Sequence, residues 1–296
     1  MTHYPTETSS RRQDRLVDRA NRPIETIFRG SRWVESVPSG LFRLHRFGHG
    51  HDHDEPVSDV EADVLAEVRK RASDVHERLA HDHDIFAVEF AGSTGGGKTM
   101  LIERLIERAP EDEQIGVVVG DVAGEDDDER LREHGVAVEN VNTGKECHLD
   151  PMVISDAIAS FDLDALDTLY FENVGNMVCP ADFPLGANSR VLVVSTTEGD
   201  DVIRKHPMLV QTADVVVINK VDLAEAVGTD VERIRTDVRS VAPDTPVFET
   251  DARNDVGVDA LVTALQETRN AHDHGDGHHH DETSNHEEHH VEVNHD

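Results

Sequence analysis

Cysteine, lysine and aromatic side chains are all scarce in this chain. Two cysteines in 296 residues, Cys147 and Cys179, cannot build a disulfide framework, and free thiols suit a reducing cytoplasm. No apolar run approaches the roughly 18 residues of a membrane-spanning helix. The amino end, MTHYPTETSSRRQDR, has no apolar stretch of the kind a secretory signal carries. The expectation is a cytoplasmic protein that does not engage membranes. Lysine occurs only at positions 70, 98, 145, 205 and 220, and Lys plus Arg total 28 against 61 Asp plus Glu. So large an acid excess repels nucleic acid as well as anionic lipid. It also opposes compaction unless salt screens it, and the Debye length falls to about 3 Å at 1 M salt. We read the excess as adaptation to a salty, halophilic cytoplasm. An acidic disordered chain is excluded by β-branched runs such as VLVVST at 191–196, which need a core.

Three zones follow one another. Residues 1–57 are Arg-rich, hold the single tryptophan, Trp33, and end on His49, His51 and His53; they read as a flexible extension. Residues 58–270 alternate helix and strand. A helical pattern over 57–80 precedes the strand IFAVEFAG, and further strands are expected at IGVVVGD, VAVENV, DTLYFENVG, RVLVVSTTEG, ADVVVINK and PVFETDA. Helical patterns separate most of these, with Leu101, Ile102, Leu105 and Ile106 sharing one face. Continuous apolar strands between helices indicate an α/β fold, a mostly parallel sheet covered on both faces. Residues 271–296 hold nine His and eight carboxylates with no aromatic or basic residue, so they are expected to be disordered and to bind metal.

Within the α/β zone, Gly92-Ser93-Thr94-Gly95-Gly96-Gly97-Lys98-Thr99 matches the phosphate-binding pattern G-x-x-x-x-G-K-[ST], between a strand and an amphipathic helix. The glycines let successive N–H groups wrap phosphate, Lys98 reaches the β- and γ-phosphates, and the Thr99 hydroxyl suits Mg²⁺. Some 120 residues on, Asn219-Lys220-Val221-Asp222 ends a strand in the N-K-x-D pattern. A carboxylate there accepts both the N1–H and the exocyclic amine of guanine, a pair that adenine lacks. Binding of GTP and GDP is the expectation. Asp121 and Glu172 each end a strand, and Glu172 opens E-x-x-G with Gly175. Both suit a Mg²⁺ shell or the positioning of an attacking water.

The two cysteines complete the inventory. Cys147 precedes His148, and Cys179 follows ENVGN, seven residues after Glu172. Thiolate and imidazole are ligands for Zn²⁺ and Ni²⁺, although a buried free cysteine is most often only a small hydrophobe. With three such groups per chain, a tetrahedral site needs water, a carboxylate or a second subunit for its fourth ligand.

Taken in order, GSTGGGKT, NTGKECHLDPMV, FENVGNMVCPADFPLG, TTEGDD and ADVVVINKVDL resemble the HypB family, GTPases that help load nickel into [NiFe]-hydrogenase. The resemblance covers about residues 85–265. It implies a dimerising P-loop GTPase that hydrolyses GTP to GDP, with Cys147, His148 and Cys179 as nickel or zinc ligands near a homodimer interface. It further implies magnesium and catalytic roles for Asp121 and Glu172, and as partners a HypA-like maturation protein and the hydrogenase large subunit. The chain departs from the family in three places. It has no cysteine before 147, hence no amino-terminal Cys-x-x-Cys-Gly-Cys motif; Pro184 and Ala187 replace common acids; Thr94 and Gly96 replace Pro and Ser. Two alternatives stay open. One is the urease accessory GTPase UreG, whose Cys-Pro-His motif is absent here because Ala181 follows Cys179-Pro180. The other is a nickel-buffering protein on a GTPase fold.

Overall fold

The computed structural model describes residues 59–121, 126–143, 148–178, 180 and 183–275. The expectations for residues 1–57, for the tail beyond 275, and for Cys147, Cys179 and the Asp121 side chain lie outside the described residues.

Seven strands form one parallel sheet in the order β3-β2-β4-β1-β5-β6-β7. They are β1 (Phe86–Gly92), β2 (Ile115–Asp121), β3 (Ala137–Asn142), β4 (Thr168–Glu172), β5 (Ser189–Ser195), β6 (Val215–Asn219) and β7 (Val247–Glu249). Every expected strand is present, and every pairing is parallel. Alternation along each strand divides the core into two faces. Phe86, Val88 and Phe90 of β1, with Val191, Val193, Val215 and Val217, pack under α2 (Lys98–Ile106), α3 (Asp126–Glu133) and α9 (Val258–Gly275). Ala87, Val118, Leu169 and Phe171 face the other way, under α1 (Asp59–His76) and α4 (Pro151–Ile158). Leu192, Val194, Val216 and Ile218 continue that second face under α5 (Val202–Lys205), α6 (Pro207–Gln211) and α8 (Val231–Val241). Burial on both faces is why the central strands read as nearly unbroken apolar runs, while the edge strand β3 has no buried residue.

Helix starts are set locally. The Asp150 side chain accepts from Met152 and Val153 N–H, with Pro151 at the first helical position of α4. Asp230 caps α8 in the same way. By contrast, α2 begins at Gly97 with no side-chain cap, which leaves its first N–H groups for a ligand. Two details differ from the sequence expectation. The first helix widens into a π-helical turn over Glu77–Asp82 before β1. The last helix runs through Gly275, five residues past the expected boundary, and its final turn brings the His272 ring to 6.5 Å from that of His76.

Candidate functional site

All the sequence-predicted nucleotide residues that are described gather at the carboxyl ends of β1, β4 and β6. The phosphate loop leaves β1 at Gly92 and enters α2 at Gly97, whose φ of +98° is left-handed. A Cβ at Gly97 would stand 2.3 Å from the Asn219 amide nitrogen, so glycine is required there both for conformation and for space. Three side chains satisfy the loop's carbonyls. Lys98 donates to Ser93 O at 3.1 Å and more distantly to Gly92 O, the Asn219 amide donates to Gly96 O at 3.0 Å, and Lys220 donates to Gly95 O. The Asn219 oxygen in turn accepts from Thr250 Oγ1 and the Ala252 N–H. This couples the start of N-K-x-D to the phosphate loop through backbone rather than through ligand.

Glu172 sits at the end of β4, 5% exposed, and Thr99 Oγ1 donates to its Oε1 at 2.8 Å. Its second oxygen is buried with no hydrogen-bond partner among the described residues. Burial pushes this carboxyl up to about 7, against the opposing pull of Lys98 and the Thr99 hydrogen bond. Burial also lowers Lys98, while Glu172, Asp127 and Glu198 oppose the shift. A hydroxyl and an under-satisfied carboxylate side by side form the hard oxygen pair that Mg²⁺ takes, so the residues present fit that ion.

The E-x-x-G spacing has a steric reason. A Cβ at Gly175 would lie 2.2 Å from Thr94 Oγ1 and 2.6 Å from Thr94 Cα, because the chain after β4 folds back onto the phosphate loop. Thr94 Oγ1 donates to Gly175 O, and Asn176 N–H donates to Gly92 O at 3.0 Å. Asp222 stands at the rim in a 3-10 turn, Val221–Leu223, after Lys220 in the left-handed region. It is exposed, so its carboxylate is open to a base. Asp121 ends β2, paired with Asn142 of β3.

Of the expected nickel or zinc ligands only His148 is described. Its ring stacks on Phe183, centroids 4.0 Å apart and planes at 29°. Elsewhere the rings of His76, His81 and His272 gather near the amino ends of the strands. Among the described residues, however, no group of three or more His, Cys, Asp or Glu is placed to hold a metal ion.

Sequence reasoning assigned no role to Glu198. Its Oε1 accepts from Ser93 Oγ at 2.6 Å and from Ser195 N–H at 2.9 Å, bracing the phosphate loop from β5. The signal was available: Ser195-Thr196-Thr197-Glu198 is a capping box. Also unassigned were Glu89 and Arg190, charged residues in otherwise apolar strands, and Asn173 beside Glu172.

Comparison with known proteins accords with this geometry. The model of the CobW/HypB/UreG nucleotide-binding domain matches residues 86–249. The chain is 42% identical over 212 residues to the probable hydrogenase maturation factor HypB of Methanocaldococcus jannaschii, covering 72% of this chain and 96% of that protein. It is 36% identical to HypB of Escherichia coli K12, over 71% of this chain and 72% of that one. Among solved structures, HypB from Archaeoglobus fulgidus aligns with a TM-score of 0.65 at 44% identity, over 69% of this chain and 99% of that chain. HypB from Helicobacter pylori, in complex with nickel, aligns with the same score at 31% identity, over 69% of this chain and 96% of that chain. The parallel sheet with its phosphate loop, and relatives that match over nearly their whole length, show that the chain belongs to the HypB family of hydrogenase maturation factors, within the CobW/HypB/UreG nucleotide-binding domains.

Proposed function

We propose that this protein is a GTP-hydrolysing metallochaperone that binds nickel, and also zinc, and helps insert nickel into [NiFe]-hydrogenase. The observation that carries the enzymatic part is the buried pair of Thr99 and Glu172 beside Lys98. Gly92 to Thr99 hold the phosphates, Lys98 neutralises developing charge, and Asn219, Lys220 and Asp222 select guanine. Thr99, Asp121 and Glu172 would hold Mg²⁺, whose charge neutralises the β- and γ-phosphate oxygens when bound. With the ion present, Glu172 is held ionised, and the site needs no proton on that carboxyl.

Nickel is cargo rather than cofactor. Cys147, His148 and Cys179 are its ligands in this reading, supported by the relative crystallised with nickel. Ligands from a second copy would close the coordination shell, so a homodimer is part of the proposal. Recipients are a HypA-like protein and the hydrogenase large subunit. A cytoplasmic location agrees with the absence, among the described residues, of any helix long and apolar enough to cross a membrane. The acid excess serves solubility at high salt.

Phosphate release from GTP and from ATP by the purified protein tests the core of this reading. Magnesium-dependent turnover of GTP well above ATP is the expected result. Equal turnover of both, or none, would defeat it.

A further inference from the structure

Between Leu149, next to His148, and the Phe183 carbonyl runs a buried polar relay that the nucleotide site does not use. Asn173, 1% exposed, accepts at Oδ1 from the Leu149 N–H at 3.0 Å and from the Val174 N–H at 2.9 Å. Its Nδ2 donates to Glu89 Oε1 at 2.9 Å. The other Glu89 oxygen accepts from Arg190 Nε at 2.9 Å, and the guanidinium also donates to Phe183 O at 3.3 Å. One end of the relay is thus fixed to the residue after His148. The other is fixed to the residue whose ring stacks on His148, four positions beyond Cys179.

Energetics say what such a relay is for. Glu89 and Arg190 side chains are each 2% exposed, and a buried ion pair loses about as much in desolvation as it gains in attraction. It is poor value as a staple and useful as a ruler, because its partners tolerate only one spacing. Asparagine is the side chain that fits the junction, since it accepts from a backbone N–H and donates to a carboxylate at once. Its own N–H is bonded to Phe90 O of β1, so the junction is clamped to the centre of the sheet. Glu172 and Asn173 therefore divide the work at the end of β4: one is bonded to Thr99 of the phosphate loop, the next to Leu149 beside His148.

We propose that Asn173, oriented by Glu89 and Arg190, is a positioning residue for the nickel cargo, setting the spacing between the His148 segment and the Phe183 segment. The inference rests on the metal ligands proposed above. Partners one shell out from a metal change its affinity by about 10- to 100-fold, which sets the effect to expect.

The test uses the full-length protein, nickel(II) alone as probe, and the thiolate-to-nickel charge-transfer absorption, to which tail imidazoles contribute nothing. Asn173→Asp places a carboxylate against Glu89 and should weaken nickel binding read by that band about 10- to 100-fold, with GDP affinity kept. Adding Glu89→Gln restores a donor–acceptor match with the charge total unchanged, and should recover the band. A merely structural role would not produce that charge-conserving rescue. If Asn173→Asp does not fold, Asn173→Gln decides the matter: it keeps donor and acceptor but moves them by one methylene, and should lower nickel affinity with GDP affinity kept. No charge-transfer band in the wild type would sink the metal-ligand reading itself. A normal wild-type band with unchanged affinity in the folded variants, or a loss that Glu89→Gln fails to relieve, would overturn only the positioning role.

Discussion

The two ends of the sheet are built from opposite kinds of polar group. At the carboxyl ends, Lys98, Thr99, Glu172 and Asn219 are nearly buried, and Glu172 keeps an oxygen with no described partner. At the amino ends, polar groups are partnered with one another or with backbone carbonyls. Arg269 bonds Glu113, Thr168 Oγ1 and Asp167 O; His83 bonds Asp164; His76 bonds Gly186 O. One end holds charge in reserve for a ligand, while the other staples strands to helices. This is the division expected of open α/β sheets, whose ligands bind outside the strands' carboxyl ends. Substitutions at the first end should therefore change function with little loss of fold, and those at the second should do the reverse.

Lys98→Ala should have the largest functional effect. GTP turnover should be abolished while circular dichroism stays that of the wild type, because the Lys98 ammonium is bonded to loop carbonyls. Normal turnover would remove the phosphate loop from the chemistry. Asp222→Asn comes next. Losing hydrogen bonds to a charged acceptor, each about 1.5–3 kcal/mol, lowers affinity by about 10- to 100-fold, so GTP binding should fall by that order. Xanthosine triphosphate binding should rise, because the amide donates to a 2-carbonyl; a competition assay reads both.

Glu172 gives a pH signature. In the metal-free protein the folded carboxyl titrates near 7 and the unfolded one near 4.5. Below the lower value both states hold the proton and the group contributes no pH dependence. Between the two values the unfolded state ionises first, so this group makes stability fall as pH rises from about 4.5 to about 7. Denaturant titrations should show that slope in wild type and a flatter one in Glu172→Gln. The smallest effect belongs to the amino end. Arg269→Ala should cost about 1 kcal/mol of stability and leave GTP turnover unchanged, measured by urea unfolding beside phosphate release. A turnover loss there without unfolding would break the contrast between the two ends.

Much of the fold was legible because its signals are local. Seven β-branched runs gave seven strands, and GSTGGGKT and NKVD gave the loop and the rim through spacing alone. Glycine at 175 was legible as a motif, but its cause, the Thr94 backbone folded against it, was not. The relay from Leu149 to Phe183 was hidden for a plainer reason. Asn173 and Glu89 are 84 residues apart, and Glu89 and Arg190 are 101 apart. Only the register of β1 against β4 and β5 brings them together. A Glu inside FAVEFAG and an Arg opening RVLVV were visible as lone charges in apolar strands, which is the trace such a pair leaves. The extra turn of α9 to Gly275 was illegible because composition after 270 is polar, while the His272 ring finds a neighbour in His76, far away in sequence.

In the function proposed above, one end of the sheet joins a nucleotide to a metal. Glu172 and Asn173 are consecutive, one bonded to Thr99 of the phosphate loop and one to the residue after His148. On the function proposed above, a rearrangement at the γ-phosphate would be transmitted over a single peptide bond. Nickel affinity, read by the thiolate-to-nickel absorption in the full-length protein, should be compared with GDP bound and with a non-hydrolysable GTP analogue bound. The two values should differ by about 5- to 150-fold, a coupling of about 1–3 kcal/mol that nucleotide affinity must show in return, and Cys179→Ala should remove the band in both states. Equal nickel affinity in the two nucleotide states, or a Cys179→Ala protein that binds as the wild type does, would contradict the account.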